Sequence, residues 1–236
     1  MHACFPGHVR LYRFAGVPLR QVAWRPYPLP VAGDAAPVGE ASTWLAGGNQ
    51  RRDWRTLALA AQRLGSRARV DLYTRHAPPA ALPPALAYRG TVGLDAFRAA
   101  VAGSRGVVLP VGFDPDVASG ITVVAMALAA GRPVVGSRTP GLRDHVRDGV
   151  SGLLVDPGAP AALAEAVARV DADPALHAAL AAGARAAGGV ADVGRWADEL
   201  LEGVHSGRVV GHTGGPWVPW PPAPGEVMGH DAGEGP

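Results

Sequence analysis

From residue 41 to residue 190 the chain alternates short apolar runs with longer stretches whose apolar side chains return every third or fourth position. The runs predict strands at Thr43–Ala46, Arg69–Thr74, Ala87–Arg89, Gly106–Pro110 and Val134-Val135, with one more ending at Val155. Gly106–Pro110 is apolar throughout, as in a strand covered on both faces. The stretches predict helices. Asp53–Leu64 carries Trp54, Leu57, Ala58, Ala61 and Leu64 on one stripe, with Asp53 placed to cap it. Leu94–Ala102 and Ile121–Ala130 follow, and Gly131-Arg132-Pro133 stops the second of these. Ala161–Val170 and Ala175–Ala187, each preceded by a proline, and Val193–Val204 complete the series. About six strands separated by helices predict an α/β fold, a single Rossmann-like parallel sheet with helices on both faces.

Outside this region the periodicity fades. His8–Phe14 fits a helix or a strand, and Leu19–Trp24 fits a short strand. Pro26, Pro28, Pro30 and the Gly/Ala/Pro run over 31–39 read as a linker. Residues 207–236 are rich in glycine and proline without an apolar pattern, which predicts a disordered tail. Its Trp217 and Trp220 could dock on a partner, although solvation of the tail is the commoner outcome. The division expected is therefore 1–40, a folded domain at 41–206, and the tail.

Three loops fall where strands hand over to helices, the edge on which open α/β sheets bind ligands. The first joins Ser119, Gly120, Ile121 and Thr122 at a helix start. Free amides and the positive end of the helix dipole favour an anion there, and the hydroxyls of Ser119 and Thr122 would add donors. The same spacing also fits an ordinary capped helix. The second loop is GGNQRRD, Gly47 to Asp53. Its glycines admit a ligand to the backbone, and its arginines sit poorly at a helix start unless an anion joins them. The third, Ser137 to His145, offers Asp144 and His145 for acid–base work, with a solvated or capping role the commoner fate of such residues.

Composition removes several alternatives. All 22 basic residues are arginine, so Schiff-base and P-loop lysine chemistry are excluded. A net charge of +2 with scattered arginines gives no nucleic-acid footprint. Cys4 stands alone, so no intramolecular disulfide forms and a reducing, cytoplasmic setting is expected. The longest apolar run, Ile121–Ala130, has about half of the ~20 residues that cross a bilayer. Peripheral membrane contact stays open. No HExxH, CxxC, GxSxG or GxGxxG pattern is present, so neither a metal nor a nicotinamide cofactor is expected.

Taken together, GGNQRRDWRTL (Gly47–Leu57), RGTVGLDAFRAAVAGSRGVVLPV (Arg89–Val111), ALAAGRPVV (Ala127–Val135), PGLRDHV (Pro140–Val146) and DGVSGLLVDPGAPAALAEAVARV (Asp148–Val170) resemble the C-terminal, donor-binding domain of GT-B glycosyltransferases of the group 1 family. The resemblance covers roughly residues 41–190. It implies transfer of a sugar from a nucleotide diphosphate sugar to an acceptor, with retention, the donor being a substrate and no cofactor being needed. It places Arg52 where the family has a diphosphate-binding lysine, with Gly48 beside it and Asn49 at a preceding arginine position. Ser119, Gly120, Ile121 and Thr122 fall on the diphosphate loop, and Gly90 and Val92 near the nucleobase wall. The family's paired glutamates correspond to Ala118 and Met126, so both carboxylates are missing; Met126 takes the place that grips the donor ribose. No catalytic residue can be named. Residues 1–40 are similar to the end of a preceding acceptor half. The expectation is a truncated, single-domain or split enzyme, with a separate acceptor-domain protein as a partner, and the alternative is a non-catalytic nucleotide- or partner-binding module.

Overall fold

The computed structural model describes residues 2–3, 16, 23–24, 42–76, 81–114, 119–188, 198 and 201. His8–Phe14, the linker, most of Val193–Val204, Ala118 and the tail lie outside the described residues. Near the N-terminus, β1 (His2–Ala3) pairs in parallel with β2 (Ala23–Trp24). The latter is the end of the strand expected at Leu19–Trp24.

The main sheet has six parallel strands: β3 (Thr43–Gly47), β4 (Arg69–Tyr73), β5 (Leu86–Gly90), β6 (Val107–Leu109), β7 (Val134–Ser137) and β8 (Gly152–Val155). Their spatial order is β5-β4-β3-β6-β7-β8. The chain therefore builds outward from β3 in one direction, returns, and builds outward from β6 in the other. The helices are α1 (Trp54–Leu64), α2 (Leu94–Ala102), α3 (Ile121–Ala129), α4 (Pro140–Arg143), α5 (Pro160–Ala172) and α6 (Pro174–Gly188).

Strand alternation divides the core into two layers. Trp44, Ala46, Val108 and Val135 face α1 and α5, packing with Leu57, Leu64, Leu163 and Val167. Leu45, Val107, Leu109 and Val134 face the opposite side, with Val124, Met126 and Leu128 of α3, Val101 of α2 and Ala184 of α6. A run apolar at every position, such as Val107–Leu109, feeds both layers at once. This is why the sheet carries helices on both faces. No helix among the described residues is long and apolar enough to cross a membrane.

Helix boundaries follow local chemistry. The Asp53 carboxylate accepts the Thr56 amide at 2.9 Å and the Thr56 hydroxyl at 2.6 Å, the cap read from the sequence. Helix α3 ends in a turn where the Gly131 amide donates to Leu128 and the Arg132 amide to Ala127, with Gly131 at φ +66°. Pro160 opens α5 and Pro174 opens α6, rather than standing ahead of them, because the first turn needs no proline N–H. At the end of the sheet away from the strand C-termini, Asp171 ties three elements. It accepts Trp44 Nε1 at 2.9 Å and pairs with Arg105 Nε at 2.8 Å, while His177 Nε2 donates to the Arg105 carbonyl at 2.7 Å.

Gly152 tests the closeness of β7 and β8. A Cβ there would be driven into the Val134 carbonyl, which is backbone and cannot step aside. Gly152→Ala should cost about 1–3 kcal/mol in urea unfolding; unchanged stability would show that the strand edge relaxes freely.

Candidate functional site

The strand order reverses between β3 and β6, and the loops leaving their C-terminal ends meet there. Residues 48–53 leave β3 with Gly48 at φ +110° and Arg51 at φ +50°. A left-handed non-glycine residue costs on the order of 1–2 kcal/mol, so the loop needs external support. That support comes from the segment after β6. Arg52 forms an antiparallel bridge with Val111, Asp53 N–H donates to Pro110 O at 3.1 Å, and Gly112 N–H donates to Arg51 O at 3.2 Å. Arg51 Nη1 also pairs with Asp114 at 2.5 Å.

The loop delivers the Arg52 guanidinium to the start of α3. Its Nε donates to the Gly47 carbonyl at 2.9 Å. Its Nη1 donates to the Gln50 carbonyl at 2.8 Å and to Ser119 Oγ at 2.9 Å. Burial lowers its pKa to about 10, which leaves it charged at neutral pH. No carboxylate lies against this cation among the described residues. The guanidinium rests over Gly48, where any Cβ would collide with it.

Gly120 begins α3 in a left-handed conformation, φ +92°, without a side-chain cap. A Cβ at this position would sit 2.8 Å from Leu109 Cδ2, so glycine is required both by the turn and by the packing of α3 on β6. Thr122 is exposed and Ile121 half-buried at the first turn. Ser119 is 6% exposed, and its hydroxyl is already committed, donating to Gln50 O at 2.8 Å while accepting from Arg52. The hydroxyl expected to add a donor for a ligand donates here to Gln50 instead. Its single proton is spent on the protein.

The other expected residues lie elsewhere. Met126 is 5% exposed and packs in the core layer of α3. Gly90, φ +74°, ends the edge strand β5, and Val92 is exposed just beyond it, two strands away from β3 on the same edge. Asn49, at a family arginine position, serves the scaffold. Its Oδ1 accepts Thr74 Oγ1 at 3.1 Å and the Arg75 amide at 2.9 Å, pinning the loop after β4. The sequence reading missed the carbonyls of Gly47 and Gln50 as arginine acceptors, since main-chain groups carry no residue signature. It also missed Ser137, whose hydroxyl accepts the Val111 amide at 2.9 Å and joins the third loop to this corner.

Asp144 is the C-cap residue of α4, and both Asp144 and His145 are half-buried. Asp144 Oδ2 and His145 Nε2 are buried without a hydrogen-bond partner, as is Thr139 Oγ1. Burial raises the Asp144 pKa to about 7, against a smaller opposing pull from the Arg143 cation. Burial lowers that of His145 to about 4. The loop that seats them is short and apolar-flanked, with Leu142 and Val146 fully in the core.

Comparison with known proteins bears on the family and the fold. A family model described as glycosyl transferases group 1 matches residues 40–173, more than half of the chain. A D-inositol 3-phosphate glycosyltransferase from Xylanimonas cellulosilytica is 49% identical over 65 residues, 28% of this chain and 16% of that protein. Among solved structures, HepE from Anabaena in complex with UDP-glucose superposes with a TM-score of 0.71 at 17% identity, over 87% of this chain and 63% of that one. Sucrose-phosphate synthase from Thermosynechococcus elongatus gives 0.65 at 20% identity, over 87% and 58%. The C-terminal domain of a group 1 glycosyl transferase from Francisella tularensis gives 0.54 at 11% identity, over 68% and 92%. The structural likeness establishes the fold, and the chain spans less than two thirds of the first two structures.

The buried acid and imidazole predict opposite pH responses. Asp144, raised from 3.8 to about 7, holds its proton in the folded state, so its contribution to stability is lost as pH rises through that window. His145, lowered from 6.5 to about 4, stays neutral when folded, so its contribution is lost as pH falls through its own. Relative to wild type, Asp144→Asn should gain stability from pH 4 to 7 and His145→Gln from pH 6.5 to 4. Each gain is at most ~1.4 kcal/mol per pH unit in urea unfolding. Parallel profiles would contradict the burial of both groups.

Proposed function

We propose, for a chain that belongs to the glycosyl transferases group 1 family, that the corner between β3 and β6 holds the diphosphate of a nucleotide sugar and that the sugar is transferred to an acceptor with retention. One observation carries the reading. A partly buried guanidinium with no carboxylate against it, among the described residues, stands at the strand crossover beside an uncapped helix start. Burying a cation is costly unless an anion joins it. A diphosphate supplies that anion, and the helix N-terminus adds amides and dipole.

The chemistry follows from where charge moves. As the bond between the anomeric carbon and the diphosphate breaks, negative charge grows on the leaving oxygen and the sugar becomes oxocarbenium-like. Donors fixed beforehand beside that oxygen stabilise the transition state more than the ground state. Arg52 and the amides of Ile121 and Thr122 would play this part, with Gly90 and Val92 bordering the base. Exposed Leu94 and Phe113 offer apolar contact to whatever protein part brings the acceptor. UDP-glucose in the HepE complex supports a uridine nucleotide as the first probe.

A second reading, nucleotide binding without transfer, draws on Met126. Its side chain is buried in the core and offers no carboxylate for a ribose. Turnover separates the two. Consumption of UDP-glucose, alone or with an acceptor partner, supports transfer; binding without consumption under both conditions supports the second reading.

Arg52→Ala should weaken UDP binding by ~1.5–3 kcal/mol, roughly ten- to a hundredfold, in calorimetric titration. An affinity equal to that of wild type would remove Arg52 from the site.

A further inference from the structure

The structure assigns Ser119 as a positioning residue: its hydroxyl locks the Arg52 guanidinium so that only the Nη2 edge is left for a ligand, enough to meet one phosphoryl group. The inference rests on the diphosphate reading above and deepens it, because it says which face of the cation the ligand meets and what holds that face in place.

A guanidinium carries five N–H donors in a rigid plane. Three have protein acceptors here. The Nε–H goes to Gly47 O. The two Nη1–H groups go to Gln50 O and Ser119 Oγ. The Ser119 proton goes to the same Gln50 carbonyl, 2.8 Å away, so serine, carbonyl and Nη1 close a three-membered ring of hydrogen bonds. A serine suits this place because its oxygen accepts while its proton donates. Alanine would leave Nη1 with an unspent hydrogen and the carbonyl with one donor fewer.

The ring also crosses between elements. Gln50 and Arg52 belong to the loop after β3, and Ser119 to the segment that opens α3. The hydroxyl thus fixes the cation relative to the helix start. Nη2 itself lies over Gly48, and any Cβ at that position would push the guanidinium out of the ring. An arginine prepared in this way loses less rotamer freedom when an anion arrives.

Two measurements test the assignment. The first needs no ligand. Arg52 Nε and Nη signals in 15N-edited NMR should be resolved in wild type and averaged in Ser119→Ala, and averaged likewise in Gly48→Ala. The second is a double-mutant cycle read by UDP titration. Ser119→Ala should weaken UDP about three- to tenfold in the wild-type background and less than about twofold in Arg52→Gln. Unchanged spectra with unchanged affinity would overturn the assignment. An equal loss in both backgrounds would overturn it too, since Ser119 would then touch the ligand directly. If wild type fails to bind UDP while the signals still collapse in Ser119→Ala, the diphosphate reading fails and the positioning of the arginine stands.

Discussion

A single guanidinium, held at 2.8–2.9 Å by two carbonyls and a hydroxyl, links the loop after β3 to the start of α3. The order β5-β4-β3-β6-β7-β8 requires the chain to leave the centre in both directions, and the loops after β3 and β6 meet there. Arg52 takes part in that meeting twice, bridging to Val111 through its backbone and to Ser119 through its side chain. The left-handed Arg51 and the close approach over Gly48 belong to the same loop, which carries that cation to the start of α3.

The remaining polar side chains near the crossover divide into scaffold and site. Asn49 and Ser137 spend their oxygens on backbone amides and shape the rim. Ser119 spends its proton on Gln50 and shapes the cation. Among the described residues, the Nη2 edge, the first amides of α3 and the exposed Thr122 are left; the edge and the amides favour negative charge, and neither is balanced by a carboxylate. Met126, on the core face of α3, adds nothing polar to this set. Among the described residues this corner thus offers a cation and amides, and Met126 offers no carboxylate.

The fold was legible because its signals are repetitive. Short apolar runs such as Trp44, Leu45 and Ala46 and helical stripes such as Trp54, Leu57 and Leu64 recur along the chain, so a single exception does not erase them. The Asp53 cap was legible because it depends on local spacing alone. The site was legible only in outline. Arg52 and the 119–122 turn could be placed on one edge, but not the carbonyls that would orient the arginine, because a carbonyl is available at every residue. Asp144 and His145 read as solvated or capping residues; Asp144 does cap α4, but neither polarity nor spacing reveals the burial of Asp144 Oδ2 and His145 Nε2. Their surroundings are set by Leu142 and Val146, which the short turn of α4 carries into the core.

The central claim concerns where a diphosphate sits. A crystal structure of the protein with UDP tests it most directly. The account predicts phosphate oxygens at ~3 Å from Arg52 Nη2 and from the amides of Ile121 and Thr122. A diphosphate bound at another edge of the sheet, or an Arg52 side chain turned away from the crossover in the complex, would contradict it.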